Sequence, residues 1–221
     1  MVASADGAAS LRGRSKGLSG DADRRVFALL RSLADVILVG AQTARTEGYR
    51  PVSRAEIPAG PRAGRPATPP IAVVSRRLDL DPRAPLFTAA PPDARTIVIT
   101  TTIAPEPRRA DMARHADVIV AGAETVDFRA AVDTLAARGH RRLLAEGGPH
   151  LLGELARAGL LDELCLTISP LLAGPGTSRI VARLGLEDGG QADGPLVLDL
   201  GHVLEDDGFL LCRYTVCPAG R

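Results

Sequence analysis

Short, uninterrupted apolar runs separated by helical segments are the feature that most constrains the fold of this chain. The runs that we interpret as strands are residues 35–40, 71–75, 96–100, 118–120 and 143–145. Strands of this kind are buried on both faces, as in a parallel sheet flanked by helices. Helical patterns lie between them, most clearly from near Ala22 to Ala34 and over residues 128–138. The alternation continues to Leu160 and predicts an α/β fold with a mainly parallel sheet.

The end of the chain departs from this alternation. Residues 163–170 form a predicted strand, and residues 171–194 form an irregular segment. Two further predicted strands, residues 196–204 and 209–216, are joined through an Asp-Asp-Gly sequence that is typical of a tight hairpin turn. The sequence thus predicts a mixed sheet that ends in an antiparallel hairpin. The length of 221 residues suits one domain, residues 1–221, whose short first strand suggests that its start is missing.

Composition excludes several classes of function. A formal net charge of +1 and an aromatic content of 3% argue against nucleic-acid binding. No apolar run approaches the ~18 residues that a membrane span requires. The 3 cysteines form no C-x-x-C pair, which suits a reducing, cytoplasmic location. The histidines lack the spacing of metal ligands, so we expect no metal site.

The turn that follows residues 143–145 is the most informative local sequence. A short apolar strand runs into Gly147 and Gly148, and Pro149 then takes the first position of a helix. Because a helix N-terminus presents unpaired N–H groups, the glycines would let a phosphate approach the backbone, with Glu146 beside the ligand. The alternative is a plain strand–helix connection with a solvated Glu146. The segment after residues 35–40 is a second turn at the carboxyl end of a strand and a competing wall of the site.

Two arginines border the buried face of the first helix. Arg24 and Arg31 are seven positions apart and therefore lie on the same side of the helix. They either reach an anionic substrate or extend along the core with their charged ends in water.

Several segments, taken together and in this order, resemble the pyrimidine reductases of riboflavin biosynthesis. They are residues 4–7 (Ser-Ala-Asp-Gly), 34–43, 144–149 (Leu-Ala-Glu-Gly-Gly-Pro), 162–164 and 168–174. The resemblance implies a dihydrofolate-reductase-like, three-layer α/β/α fold. It also implies an NADPH-dependent reduction of 5-amino-6-(5-phosphoribosylamino)uracil, a phosphorylated ribosylaminopyrimidine, with hydride delivered to C1′ of the ribose. Family members are commonly homodimers, so a homodimer is expected.

The resemblance also assigns residues to the site. It implies that Glu146 and Glu47 are the catalytic carboxylates, Glu47 standing where the family usually has an aspartate that contacts the cofactor. The substrate contacts that it implies are Asp6, Ser15, Arg31 and Glu146, whereas Arg24 gains no such support. The implied cofactor contacts are Thr43, Glu47, Ser75, Gly147, Gly148, Pro149, His150, Leu151, Leu152 and Gly153. Arg45, Arg50 and Arg54 are candidates for the 2′-phosphate of NADPH.

Two departures from the family pattern leave alternatives open. Ala8 stands where many members carry a lysine near the substrate, and Glu47-Gly48-Tyr49 replaces a common Asp-Asp-Pro. These departures allow a reductase of a different pterin or folate, or a nucleotide-binding or assembly protein that has lost the reaction. The H-x-E and P-C-x-x-C signature of a zinc deaminase is absent from the sequence.

Overall fold

A computed structural model describes residues 1–58, 60, 62–182 and 195–217. The chain divides into two compact units. We call Phe27–Glu146 the central unit, and Met1–Val26 together with Gly147–Arg221 the terminal unit. Part of the predicted irregular segment, residues 183–194, lies outside the described residues.

Helices and strands alternate from Val2 to Ser169, and two further strands follow among the described residues. The strands are β1 (Val2–Ser4), β2 (Val36–Gly40), β3 (Ile71–Val74), β4 (Ile97–Thr100), β5 (Asp117–Val120), β6 (Leu143–Ala145), β7 (Glu163–Ser169), β8 (Leu198–Asp206) and β9 (Phe209–Val216). The helices are α1 (Asp21–Leu33), α2 (Ala41–Glu47), α3 (Pro85–Thr88), α4 (Glu106–Ala113), α5 (Phe128–Ala137) and α6 (Pro149–Arg157). Among the helices of these described ranges, none combines the length and the apolar character that crossing a membrane needs.

The central unit contains a five-stranded parallel sheet in the order β5-β4-β3-β2-β6. Its middle strands are runs of valine, isoleucine and leucine, and every residue from Val36 to Val39 is at most 1% exposed. Branched side chains of this kind pack well on a pleated surface, so burial on both faces fixes these strands. In register, Leu38 lies opposite Ala145 and Gly40 opposite Val74, so the segments that follow β2, β3 and β6 leave from one edge of the sheet.

The terminal unit contains a four-stranded mixed sheet in the order β1-β7-β9-β8. β1 is parallel to β7, whereas β9 is antiparallel to both of its neighbours. The hairpin between β8 and β9 turns at Asp207 and Gly208, which have φ values of 53° and 78°. Two consecutive positive φ values define the tight turn that the Asp-Asp-Gly sequence predicts, because that turn follows the twist of paired strands.

The α/β class, the mainly parallel strands and the antiparallel hairpin at the end are confirmed. The strands are divided between two sheets, one in each unit, where the sequence predicts one mixed sheet. The predicted turn after β2 is wrong, since residues 41–47 form helix α2. α2 has only seven residues, too few to show a helical period in the sequence.

Candidate active site

Glu146 directly follows β6 at the carboxyl edge of the parallel sheet. The pairing of β6 with β2 continues one residue beyond the strand, because the Glu146 N–H donates to the Leu38 carbonyl at 2.9 Å. The Glu146 side chain is 1% exposed. The predicted alternative of a solvated Glu146 is therefore wrong. A carboxylate this deeply buried requires partners of its own.

Arg31, in the last turn of α1, is the first partner of Glu146. Its Nε donates to Glu146 Oε1 at 2.7 Å, and its Nη2 donates to Oε2 at 2.8 Å. Two parallel bonds between a planar guanidinium and a carboxylate are among the strongest hydrogen bonds in proteins. The Arg31 side chain is 14% exposed, so its charged end is not in water, as extension along the core would require. Burial disfavours the charged guanidinium, but the hydrogen bonds and charge of Glu146 outweigh it and raise the pKa of Arg31.

Tyr49 is the second partner of Glu146. Its hydroxyl donates to Glu146 Oε2 at 2.6 Å. Gly48 has a left-handed conformation, with φ of 69°, and ends α2, while the Tyr49 N–H donates to the Ala44 carbonyl at 2.9 Å. This turn places the ring of Tyr49 at the end of α2 with its hydroxyl toward Glu146. Burial, together with the charge and hydrogen bond of Glu146, raises the pKa of the Tyr49 hydroxyl far above its ordinary value.

Two further side chains contact the guanidinium of Arg31. The Cζ atom of Arg31 lies 4.4 Å from the centre of the Phe27 ring and 5.8 Å from that of Tyr49. A cation over an aromatic face is stabilised by the negative centre of that face. The carboxylate of Glu56, on the exposed 3₁₀ turn Arg54–Glu56, lies 3.6 Å from Nη1 of Arg31. We call Phe27, Arg31, Tyr49, Glu56 and Glu146 the Glu146 cluster; it lies wholly within the central unit.

The predicted cofactor residues of the central unit lie at the same edge of its sheet. Thr43 is half-buried in α2, and Glu47 is the last residue of that helix. Ser75 follows β3 and is 6% exposed, and its N–H donates to the Ile99 carbonyl at 2.9 Å. Gly40 and Val74 are register partners, so the residues that follow them, the first residue of α2 and Ser75, leave the sheet next to each other. Ligands of open α/β sheets bind beyond this edge, which supports the predicted position of these residues.

The remaining predicted cofactor residues open helix α6 in the terminal unit. Gly147 has a φ of 92°, a value that favours glycine, and the peptide bond between Gly147 and Gly148 is cis. Gly148 caps α6 without a side-chain acceptor, and Pro149 takes the first helical position as predicted. His150 is exposed, whereas the three predicted residues that follow it, 151–153, are buried.

The predicted substrate residues Asp6 and Ser15 also lie in the terminal unit. Asp6 accepts hydrogen bonds from the Ser4 hydroxyl and from the N–H groups of Ala173 and Gly174, at 3.0 and 2.8 Å. These bonds, that of Ser4 above all, lower the pKa of Asp6 to about 2. Asp6 thus holds the segment after β7 against β1. Ser15 is half-buried in the 3₁₀ turn Ser15–Gly17.

The structure therefore brings Arg31 and Glu146 into direct contact and adds residues that the sequence does not single out. Tyr49 is such a residue. The sequence offers one sign of it, the Glu-Gly-Tyr at the end of α2 that replaces the common Asp-Asp-Pro of the family. Arg24, the second arginine on α1, pairs instead with the exposed Asp21. In the described ranges no group of acidic, histidine or cysteine side chains is arranged to hold a metal ion.

Comparison with known proteins places this geometry in a family. Residues 1–207 match the family described as the RibD C-terminal domain. The chain is 30% identical, over 96% of its length and 93% of the relative's, to the 2,5-diamino-6-ribosylamino-4(3H)-pyrimidinone 5′-phosphate reductase of Methanothermobacter thermautotrophicus. It is 33% identical to the enzyme of the same name from Archaeoglobus fulgidus, over 79% of this chain and 80% of that one.

A solved structure gives the same result. A pyrimidine reductase-like protein from Corynebacterium diphtheriae superposes with a TM-score of 0.84 at 29% identity, covering 98% of this chain and 90% of that one. The fold is that of the RibD reductase domains, which is dihydrofolate-reductase-like, as the family resemblance implies. The relatives are named as reductases, and the chain is an oxidoreductase. It belongs to the RibD C-terminal domain family, the pyrimidine reductases of riboflavin biosynthesis.

Proposed function

We propose that this protein reduces a phosphorylated ribosylaminopyrimidine with NADPH and delivers hydride to C1′ of the ribose. The observation that carries the proposal is the match to a pyrimidinone phosphate reductase along 93% of that enzyme. The names of the relatives specify a 2,5-diamino pyrimidinone, whereas the sequence resemblance implies the uracil form, which carries an oxo group in place of one amine. We expect the 2,5-diamino form to be the preferred substrate.

This reductase family suggests a nicotinamide cofactor. The backbone N–H groups at the start of α6 suit the phosphates of such a cofactor. A dinucleotide carries a pyrophosphate, which binds well to the unpaired N–H groups at a helix N-terminus. Gly148 leaves that end of α6 without a side-chain acceptor, and Gly147 places no side chain in front of it. We propose that Gly147, Gly148 and the first turn of α6 hold the phosphates, and that Thr43, Glu47 and Ser75 contact the cofactor in the central unit.

Within the Glu146 cluster, Arg31 and Glu146 bind and orient the substrate. NADPH, when bound, supplies hydride from C4 of its nicotinamide. Arg31 contacts the substrate through Nη1, which is not bonded to Glu146, on a guanidinium that Glu146 holds in one plane. In the balanced reaction, hydride adds to C1′ of the ring-opened imine and a proton goes to its nitrogen. Alignment of the reacting atoms accounts for much of the rate that such an enzyme gains.

The experiment compares NADPH consumption with the 2,5-diamino pyrimidinone phosphate, its uracil counterpart and dihydrofolate. We expect turnover with a ribosylaminopyrimidine and none with dihydrofolate. NADPH deuterated at C4 should place deuterium at C1′ of the product, located by NMR. Turnover of dihydrofolate alone would favour the pterin or folate alternative, and NADPH binding without any turnover would favour a binding protein. The expected homodimer is measured by light scattering on the same sample.

A further inference from the structure

We propose that Tyr49 is a positioning residue of this reductase, which acts by fixing the carboxylate of Glu146. The inference rests on the proposed function, in which Glu146 and Arg31 meet the substrate. Tyr49 belongs to none of the contacts that the family resemblance implies. The common Asp-Asp-Pro of the family ends in proline, which has no hydroxyl.

The geometry shows what the hydroxyl adds. Arg31 holds both carboxylate oxygens of Glu146 through two parallel bonds, and both bonds come from one side chain. Tyr49 adds a third bond, of 2.6 Å, to Oε2 from a different element. Donors from α1 and from the end of α2 therefore meet on a residue that follows β6. Three donor atoms from two separate elements thus hold the carboxylate.

Tyr49 is itself held rigidly. Its backbone N–H is bonded to the Ala44 carbonyl at 2.9 Å, and its ring packs against the hydrophobic core of the central unit. Gly48 makes the left-handed turn that this requires. A group on a packed scaffold positions its partner more accurately than one on a mobile loop.

The charges around the hydroxyl keep it a donor. The ionisable groups that face it are Glu146 after β6 and Arg31 on α1, with Glu56 facing the far side of Arg31. Burial and the negative charge of Glu146 hold the pKa of Tyr49 far above its ordinary value, against the smaller opposing effect of Arg31. The hydroxyl therefore keeps its proton and donates a hydrogen bond to Glu146.

The first test is kinetic and uses the two tyrosines of the chain. Tyr49→Phe removes only the hydroxyl and is expected to lower kcat/KM about tenfold, the effect of one hydrogen bond to a charged group. The loss should fall on kcat more than on KM, because a displaced carboxylate misaligns the bound substrate. Tyr214→Phe, on β9 in the terminal unit, is the matched control and should keep the wild-type kcat and KM. A Tyr49→Phe enzyme with the wild-type kcat/KM, whatever its stability, overturns the proposal.

The second test needs no substrate. In Tyr214→Phe, Tyr49 is the sole tyrosine, so tyrosinate absorbance reports on it alone. The folded protein should show no ionisation near pH ~10, the ordinary value for tyrosine. Adding Glu146→Gln should move the ionisation to lower pH, because the neighbouring negative charge is gone. Ionisation near pH ~10 with Glu146 intact overturns the proposal, even if pyrimidine turnover has been demonstrated. The expected titration together with absent turnover would instead reject the proposed function.

Discussion

Arg31 and Glu146 lie 115 positions apart in the sequence, and two parallel hydrogen bonds of 2.7 and 2.8 Å join their side chains. The contact depends on the pairing of β6 with β2, which places Glu146 at the carboxyl edge of the sheet. It also depends on α1, which carries Arg31 in its last turn. Both groups are predicted substrate contacts, and the structure shows that neither side chain is arranged without the other.

Glu146→Gln should lower kcat/KM by roughly 100-fold, because a displaced substrate contact costs about that much. Glutamine keeps the shape but leaves the guanidinium of Arg31 without its buried counter-charge. We expect the free energy of unfolding to fall by about 2–3 kcal/mol, which a domain of ordinary stability, about 5–15 kcal/mol, survives. Steady-state kinetics and urea unfolding measure the two effects.

A matched control for this substitution exists in the terminal unit. Arg213 donates to both oxygens of Glu163 through the same two atoms, at 2.8 and 2.5 Å, but both side chains are more than 40% exposed. Exposed ion pairs contribute little to stability. Glu163→Gln should therefore leave both activity and unfolding near wild type. Equal losses in the two variants would contradict a special role for the buried pair.

How much of this site the sequence predicts depends on the physical origin of each part. Continuous valine and isoleucine runs reveal buried parallel strands because burial on both faces demands that composition. They carry no information about which run is the neighbour of which, so the contact of Arg31 with Glu146 is not predictable from them. Tyr49 is harder still, since the direction of its hydroxyl depends on α2 being a helix. The seven residues of α2 are too short to show a period, and the sequence predicts a turn there.

Acid should destabilise the terminal unit through Asp6. Its pKa is about 2 in the folded protein, chiefly because of the Ser4 hydroxyl, and about 3.9 in an unfolded chain. A lowered folded-state pKa contributes stability that is fully present above about pH 4 and is lost as the pH falls toward about 2. Asp6→Asn should reduce stability at neutral pH and flatten this dependence. Urea unfolding at a series of pH values tests it. Asp133→Asn, which removes an exposed carboxylate from α5, is the control for the loss of one negative charge and should leave unfolding at neutral pH near wild type.

Arg62 should prove necessary for the end of α1. It is 5% exposed, and it donates to the carbonyls of Ala34, at 2.5 Å, and Pro66, at 2.7 Å. Arg62→Ala would leave these carbonyls unpaired and should lower the free energy of unfolding by about 2 kcal/mol or more. Arg62→Lys should recover little, because an ammonium lacks the planar fork that reaches both carbonyls. The control is Arg24→Ala, which removes an exposed ion pair with Asp21 on the same helix and should change the free energy of unfolding little. If Arg62→Lys restored the full wild-type stability, the forked contact would be refuted.

Gly147→Ala should separate backbone strain from cofactor binding. Gly147 and Gly139 have the same φ of 92°, so an alanine at either position carries a similar conformational cost, about 1–2 kcal/mol. A Cβ at Gly139 would meet nothing within 4 Å, and Gly139 lies after α5, away from any predicted contact. If Gly147 admits the cofactor phosphates to the start of α6, Gly147→Ala alone should weaken NADPH binding, by about tenfold or more, while both variants lose similar stability. Calorimetric titration with NADPH and thermal unfolding provide the comparison. Equal NADPH affinity in the two variants would show that Gly147 serves the turn and not the ligand.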